Sequence, residues 1–262
     1  MGELHYLVTV KQVPDTTDVR LDAGTGVLKR DRAKGMTNPE DRYAVELALG
    51  LKEKTGGKVT VLAMGPETAR DSLKEALAMG ADEAYLVTDP AAAGSDVVGT
   101  SRALAKAIEK VGSVDVVLTG RRAIDGWTGA VPAMLAEQLQ RPLVSAVRSA
   151  EVVGDRLKAE QAWEDGYQVV EGPVRAVLSV TREAKTPRLA TAMGVMKAAK
   201  KPLTTWSLAD LGLGAHEVGL SAARAKVVRV GSPERKKRTQ VFEGPGGLSE
   251  LTQKLAAKGL LS

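Results

Sequence analysis

The sequence contains no cysteine, and this absence excludes disulfide bonds, thiolate nucleophiles and cysteine-ligated metals. Histidine is almost as scarce, because only His5 and His216 occur and they lie far apart in the chain. Neither belongs to a serine–histidine–aspartate arrangement, a paired-carboxylate motif or a metal-ligand spacing. We therefore expect both histidines to be structural, and we expect no catalytic residue and no metal site.

Aromatic residues make up only 3% of the 262 residues, whereas hydrophobic residues make up 44%. The core must therefore be built from aliphatic side chains, which suits a parallel sheet buried on both faces. So few aromatic rings also argue against nucleic-acid binding by base stacking. Because a signal-like segment and a long apolar run are both missing, we expect a soluble, cytoplasmic protein that does not insert into a membrane.

The net charge is +5, and much of the excess lies late in the chain, in Lys197, Lys200, Lys201 and the basic run 235–238. Such charge is typical of a solvated surface. The alternative is that it steers the protein toward an acidic partner protein. We do not expect a nucleic-acid partner, because no recognised nucleic-acid-binding motif accompanies the charge.

Apolar runs alternate with amphipathic stretches through the first 140 residues. The Asn-Pro-Glu-Asp segment at 38–41 has the features of a helix start, with Asn38 as the cap and Pro39 in the first turn. The alternation predicts an α/β fold with a doubly wound, mostly parallel sheet. The predicted strands are 4–10, 58–64, 84–87 and 114–119, and the predicted helices are 39–54, 67–79, 94–111 and 133–139.

The second half of the chain has a different character. Closely spaced strand-like segments separated by tight turns predict antiparallel additions to the sheet at 143–153, 156–162, 167–171 and 175–181. Beyond them the apolar periodicity weakens, and a short helix at about 247–258 closes the chain. We therefore expect a nucleotide-binding α/β domain at 1–183, and at 184–262 an extended C-terminal arm without its own core that packs on another protein. The alternative for the second segment is a flexible tail.

Ligands of open parallel sheets bind beyond the carboxyl ends of the strands. The segments expected there are 9–12, 64–66 and 120–132. The last contains glycines and leads into a helix, so it would present backbone N–H groups and a positive helix end to an anion.

This turn alone is weak evidence for phosphate binding. Thr128 could add a hydroxyl, and Arg121 or Arg122 a charge-assisted contact. The sequence has neither a P-loop nor the glycine fingerprint of dinucleotide-binding folds after its first strand. A plain turn at Asp125 and a packing role for Trp127 are the alternatives. The sequence therefore favours a nucleotide binder without its own acid–base chemistry.

Five sets of motifs resemble those of electron transfer flavoprotein beta subunits, and they occur in the family's order between residue 1 and about residue 202. They are VTVKQVPDT at 8–16, NPED at 38–41, GPE at 65–67 with ALAMGAD at 76–82, Gly120 with AIDG at 123–126, and PRLA at 187–190 with MKA at 196–198. The third set is the most diagnostic of the family.

The resemblance implies an adenine-nucleotide-hydrolase-like fold and a heterodimer with an alpha subunit that carries most of the FAD site. Such a heterodimer takes electrons from acyl-CoA-type dehydrogenases, as in fatty acid oxidation, and passes them to a membrane quinone oxidoreductase. Ordinary beta subunits hold AMP, whereas bifurcating ones hold a second FAD that exchanges hydride with NADH. The resemblance also implies that the C-terminal arm wraps around the alpha subunit. From a different class, a stand-alone nucleotide-binding regulator is the further alternative.

The resemblance assigns two sets of site residues. The cofactor-binding set is Thr9, Asn38, Pro39, Glu40, Asp41, Met64, Arg122, Ala123, Ile124, Asp125, Gly126, Trp127, Thr128, Gly129, Ala130 and Val131. The partner-recognition set is Leu189, Ala192, Met193, Val195, Met196 and Lys197.

Both sets depart from the family's pattern. Polar side chains are usual where Gly129, Ala130 and Val131 stand, and Trp127 replaces a small or acidic residue. Trp127 would either cover the purine or restrict the pocket, and these departures favour AMP over a second FAD. A bulky apolar anchor is usual at Ala192, and we expect the neighbouring methionines and valine to substitute for it.

Overall fold

The structure is a computed structural model that describes residues 3–15, 20–21, 28–29, 35–225 and 239–261. It divides into two compact units, residues 1–228 and residues 229–262. The basic run 235–238, for which we considered a steering role, lies outside the described residues. None of the described helices is long and apolar enough to cross a membrane.

Strands and helices alternate through the first unit, and a last helix lies in the second. The strands are β1 (His5–Thr9), β2 (Gln12–Pro14), β3 (Arg20–Leu21), β4 (Leu28–Lys29), β5 (Gly35–Thr37), β6 (Lys58–Met64), β7 (Glu83–Val87), β8 (Val116–Gly120), β9 (Leu143–Val153), β10 (Arg156–Trp163), β11 (Gly166–Pro173), β12 (Ala176–Val180) and β13 (Leu203–Trp206). The helices are α1 (Pro39–Thr55), α2 (Arg70–Met79), α3 (Val97–Val111), α4 (Val131–Gln138), α5 (Ala192–Ala198), α6 (Gly219–Ala222) and α7 (Gly247–Ala257).

A nine-stranded sheet in the order β11-β10-β9-β12-β8-β1-β6-β7-β13 forms the first unit. Every pairing from β9 to β13 in this order is parallel. All five residues of β1 are buried, and its side chains alternate between two clusters. Tyr6 and Val8 join the cluster that contains α1 and α2, whereas Leu7 joins the one that contains α3 and α4. The predicted doubly wound, mostly parallel α/β fold is confirmed.

The strand predicted at 175–181 is a correction to the predicted sheet. It is not an antiparallel addition, because β12 lies between β8 and β9 and pairs with both in parallel. Its five residues are all buried. Leu178 belongs to the cluster on the α1 and α2 side, and Val177 belongs to the cluster on the α3 and α4 side. A short apolar run covered on both faces is typical of a central parallel strand. Antiparallel pairing is confined to β9-β10 and β10-β11 within the nine-stranded sheet.

The boundary between the units lies at 228/229 and not at the expected 183/184. Residues beyond 184 take part in the first unit, because β13 extends the sheet beside β7. Leu208, Leu211 and Val218 are buried in the same cluster as α3. Sequence periodicity did not reveal this packing, since the strand has four residues and the apolar residues are separated by glycines. Packing of the segment that contains α7 on a partner remains a prediction.

His5 is buried at the start of β1, at the sheet edge opposite the carboxyl ends of the strands. Its Nδ1 lies 2.9 Å from the backbone oxygen of Ser113, which can only accept, so the neutral ring carries its proton there. Its Nε2 lies 2.7 Å from the Thr60 hydroxyl oxygen, which also donates to Glu83 Oε1 at 2.8 Å. Burial, with a smaller contribution from the positive charge of Lys58, lowers the pKa of His5.

A lowered pKa makes the unfolded chain the better proton acceptor, so stability should fall as the pH drops below 6.5, the ordinary histidine value. The loss can reach ~1.4 kcal/mol per pH unit. We expect His5→Gln to remove this part of the pH dependence, and His216→Gln, at an exposed position, to retain it. Urea unfolding on either side of that pH measures the difference. An unchanged pH dependence in His5→Gln would contradict the assignment.

Candidate functional site

The carboxyl ends of three neighbouring parallel strands bring the predicted site segments to one edge of the sheet. Thr9 ends β1, Met64 ends β6 and Gly120 ends β8. Thr9 pairs with Thr119 on one side and with Leu62 on the other, so the chain leaves all three strands at nearly the same level. The loop 121–130 follows β8 and leads into α4.

The first turn of α1 lies directly against the end of β8. A Cβ atom on Gly120 would stand 2.2 Å from Asp41 Oδ1 and 2.9 Å from the Asp41 backbone nitrogen. No side chain fits at that distance, so glycine is required for α1 to reach this position. The helix start and the strand end are therefore locked together by close backbone contact.

The carboxylate of Asp41 is the buried centre of this contact. It accepts hydrogen bonds from the backbone N–H of Lys11 at 2.7 Å and from Asn38 Nδ2 at 2.8 Å. The backbone N–H of Gly120 also donates to it. Burial raises the pKa of Asp41 to about 7, and these hydrogen bonds oppose the rise without cancelling it.

Asn38 braces the loop after β8 and does not cap α1 with its side chain, contrary to our expectation. Its Nδ2 donates to the backbone oxygen of Arg122 at 3.0 Å, and its Oδ1 accepts from the backbone N–H of Ile124 at 3.2 Å. Its backbone N–H donates to the oxygen of Lys11 at 2.9 Å. The Asn38 amide therefore both donates to and accepts from the loop backbone, as a neighbouring strand would. It connects the loop to the start of α1.

Glu40 is buried beside the same loop and lies near two arginine side chains. Its Oε2 accepts from the backbone N–H of Arg122 at 3.0 Å. Its Oε1 lies 3.8 Å from Arg122 Nε and 3.6 Å from Arg182 Nε. Two guanidinium groups therefore flank one carboxylate at the sheet edge.

Arg182 and Lys11 lie beside the loop but were absent from the residues that the resemblance assigned, although Lys11 falls within the segment 9–12 expected at this edge. Arg182 comes two residues after β12, so the rule of carboxyl strand ends would have found it if that strand had been predicted as parallel. Lys11 Nζ pairs with Asp125 Oδ1 at 2.8 Å. Asp125 also accepts from the backbone N–H of Gly126 at 2.7 Å, so this carboxylate holds the loop in shape.

The tip of the loop is exposed from Gly126 to Gly129. Thr128 Oγ1 lies 3.5 Å from the backbone nitrogen of Ala130, a distance at the limit for a hydrogen bond. The first helical hydrogen bond of α4 comes from Met134, and Pro132 has no N–H group. The groups at the loop tip that could contact a ligand are therefore backbone N–H groups, the Thr128 hydroxyl and the neighbouring guanidinium groups.

Direct hydrogen bonds thus join Asn38 and Glu40 to the backbone of Arg122 and Ile124. Asp41 bonds instead to Asn38 and to the backbone of Lys11. The polar atoms of these three side chains are therefore already engaged in hydrogen bonds within the protein. Thr9 is buried, and Met64 is half-buried against the α3 side of the core. The predicted set therefore mixes residues that build the site with residues that could contact a ligand.

A second surface is formed by α5 and the segment before it, which we name the recognition loop (residues 187–198). Thr191 caps the helix by accepting from the backbone N–H of Gly194 at 3.0 Å. The predicted partner-recognition side chains on it are all exposed. Among its large apolar side chains the exposed fractions are highest for Leu189 (89%), Met196 (73%) and Met193 (65%).

The recognition loop is held firmly from behind. Arg188 donates to the buried carboxylate of Glu46 at 2.7 Å and to Glu53 at 2.6 Å, both on α1. Burial alone would raise the pKa of Glu46, but hydrogen bonds from Arg188 and Lys185 lower it. A Cβ atom on Gly194 would stand 2.4 Å from the backbone oxygen of Ala78, so α5 packs tightly on α2. The exposed apolar side chains therefore project from a rigid base.

Comparison with known proteins identifies relatives over almost the whole chain. The family model described as "Electron transfer flavoprotein domain" matches residues 25–211. The chain is 43% identical over 256 residues to "Electron transfer flavoprotein subunit beta" of Thermoanaerobacterium thermosaccharolyticum, an alignment that covers 97% of each chain. It is 41% identical to a protein of the same name in Clostridium acetobutylicum, with 92% of this chain and 93% of that protein covered. It is 40% identical to "Caffeyl-CoA reductase-Etf complex subunit CarD" of Acetobacterium woodii, with 92% of each covered.

The close contact at Gly120 can be tested by a substitution that adds a single methyl group. We expect Gly120→Ala to lower the free energy of unfolding by ~1–3 kcal/mol, because the helix start must move away from the strand end. Gly126→Ala is the matched control, since a Cβ there meets nothing within 4 Å and its backbone conformation suits alanine. Urea unfolding of the three proteins gives the comparison. Equal stability of both variants would show that α1 can shift without cost.

Proposed function

Because this chain belongs to the electron transfer flavoprotein family as a beta subunit, we propose that it pairs with an alpha subunit and holds AMP while the heterodimer carries electrons. The observation that carries the nucleotide assignment is the braced loop 121–130 at the carboxyl edge of the sheet. In this proposal the electron donor is an acyl-CoA-type dehydrogenase and the acceptor is a quinone oxidoreductase. The alpha subunit holds most of the FAD, which accepts and releases the electrons.

The ligand-facing groups of the loop suit a single phosphate. The backbone N–H groups at the start of α4 lie beside the positive end of a helix, where an anion is stabilised. Arg122 and Arg182 add positive charge around Glu40. Pro132 removes one donor from this first turn, and Gly129, Ala130 and Val131 contribute no polar side chain. We infer a mononucleotide, since a pyrophosphate would need a longer row of donors.

The residues that brace the loop have a different role from those that would contact the ligand. Asn38, Glu40 and Asp41 direct their polar atoms at the loop backbone and at Lys11, so they hold the donors in place before a nucleotide arrives. A preformed loop lowers the entropic cost of binding. The polar side chains of the NPED segment are therefore positioning residues in this proposal.

A second candidate is a second FAD in place of AMP, one that reacts with NADH. It is favoured by the similarity to CarD, whose name places that subunit in a caffeyl-CoA reductase-Etf complex. The same relative supports a CoA-thioester oxidoreductase as the electron-transfer partner. The two candidates differ in which nucleotide the beta subunit holds.

Nucleotide content decides between AMP and a second FAD. We expect the purified heterodimer, after denaturation, to release one AMP and one FAD, because the loop offers donors for a single phosphate. Chromatography against standards quantifies both, and absorbance after addition of NADH reports flavin reduction, which we expect to be absent. Two FAD and no AMP per heterodimer would overturn the proposal in favour of the second candidate.

The recognition loop supplies the surface on which we propose that the donor dehydrogenase docks. Apolar side chains on a rigid base favour burial in a pocket of the partner. Lys197 and Lys200 are exposed beside them and can steer an acidic partner. Lys201 cannot contribute in the same way, since its Nζ donates to the backbone oxygen of Leu77 at 3.1 Å and also to that of Ala81. Burial lowers the pKa of Lys201, in keeping with this structural role.

Replacement of Met193 and Met196 by serine tests the docking surface. We expect Met193→Ser with Met196→Ser to slow electron transfer from the dehydrogenase by at least about fivefold at limiting heterodimer concentration, the equivalent of about 1 kcal/mol of lost binding free energy. Heterodimer assembly and flavin content should stay unchanged. Leu220→Ser is the control, because Leu220 is similarly exposed but lies outside the loop. Equal rates for all three proteins would place the docking site elsewhere.

A further inference from the structure

Trp127 at the tip of the loop 121–130 has an unusual combination of backbone and surroundings. Its φ angle is +56°, a left-handed conformation that is unfavourable for a bulky side chain. Despite this cost, 55% of the residue is exposed, so burial in the core does not compensate for it. Strained backbone at an exposed aromatic residue is a reason to look for a ligand.

The indole ring is nevertheless held in place. The guanidinium of Arg122 lies 3.7 Å from the ring centroid and covers one face. Arg122 is itself tied down through its backbone, which donates to Glu40 at 3.0 Å and accepts from Asn38 at 3.0 Å. The backbone N–H of Trp127 closes a turn on the oxygen of Ala123 at 2.9 Å. The ring is therefore restrained by a cation on one face, while more than half of the residue remains exposed.

Trp206 shows what a packing tryptophan looks like in the same protein. It is half-buried, and its ring stacks on Tyr85 with a centroid distance of 4.5 Å, so another part of the chain meets it. Both rings have a cation over them, Lys110 for Trp206 and Arg122 for Trp127, but no aromatic ring is found stacked on Trp127 among the described residues, and 55% of Trp127 is exposed. Trp127 could either restrict the pocket or cover a base. An exposed ring fits the second role better.

We infer that Trp127 is a specificity-determining residue that stacks on the purine base of the bound nucleotide. This inference rests on the proposed nucleotide site. Trp127 lies four residues before the start of α4, so a phosphate at the helix end and a base on the indole can belong to one mononucleotide. Aromatic rings bind bases through their faces, and the contact is strong when the ring is already fixed.

Ligands with and without a base separate stacking from phosphate binding. The experiment uses the heterodimer after removal of bound nucleotide, with AMP and ribose 5-phosphate as probes in calorimetric titrations. We expect Trp127→Gly to weaken AMP binding by about 5- to 100-fold and to leave ribose 5-phosphate binding unchanged. Trp127→Phe should retain most of the AMP affinity. Glycine adopts the left-handed conformation readily, so the first variant should fold at least as well as the parent.

Fluorescence gives a readout that a purely structural role would not change. AMP should quench tryptophan emission in the parent and in Trp163→Phe, which removes an equally exposed indole from β10. It should not quench emission in Trp127→Phe.

Three results would overturn the inference while leaving the nucleotide site intact. They are unchanged AMP affinity in Trp127→Gly, an equal loss for both ligands, and failed heterodimer assembly with normal AMP binding, which would assign Trp127 to the subunit interface. Failure of the parent heterodimer to bind AMP at all would overturn the proposed nucleotide site together with this inference.

Discussion

The contact between the start of α1 and the end of β8 is the constraint on which the candidate site depends. Gly120 lets the helix approach until the Asp41 carboxylate is buried against the strand, and only glycine leaves room for that approach. Once buried, the carboxylate needs donors, and it finds them at Lys11, Asn38 and Gly120. Three separate chain segments are thereby fixed around one side chain.

This arrangement explains why the polar residues of the helix start do not face a ligand. Asn38 and Glu40 satisfy backbone groups of the loop 121–130, which would otherwise stand exposed and mobile at the sheet edge. The loop is then left to present its own N–H groups and the ring of Trp127. A nucleotide would meet a surface made mainly of backbone, and the side chains behind it determine its shape.

The recognition loop is likewise held in place by buried contacts behind it, at a position beyond α2 and away from the carboxyl ends of the strands. Its exposed apolar side chains would be a liability in water if they stood on a flexible segment. Arg188 ties the loop to the buried carboxylate of Glu46, and Gly194 lets α5 sit against α2. The sheet with its α1 and α2 layer thus supports two separate surfaces, one at the carboxyl strand ends and one beyond α2.

The alternation of buried aliphatic runs with amphipathic stretches was enough to predict the parallel, doubly wound sheet, because that pattern depends on residues close in sequence. The same local signals located the helix starting at Pro39 and the glycine-containing loop after β8. Sequence alone did not reveal that β12 is a central parallel strand, nor that residues up to 225 join the first unit. Both depend on which strand a segment pairs with, and pairing is decided by contacts between residues far apart in the chain. For the same reason the contacts of Asn38 with the loop 121–130 and of Arg182 with Glu40 emerged only from the tertiary structure, since each joins residues far apart in the chain.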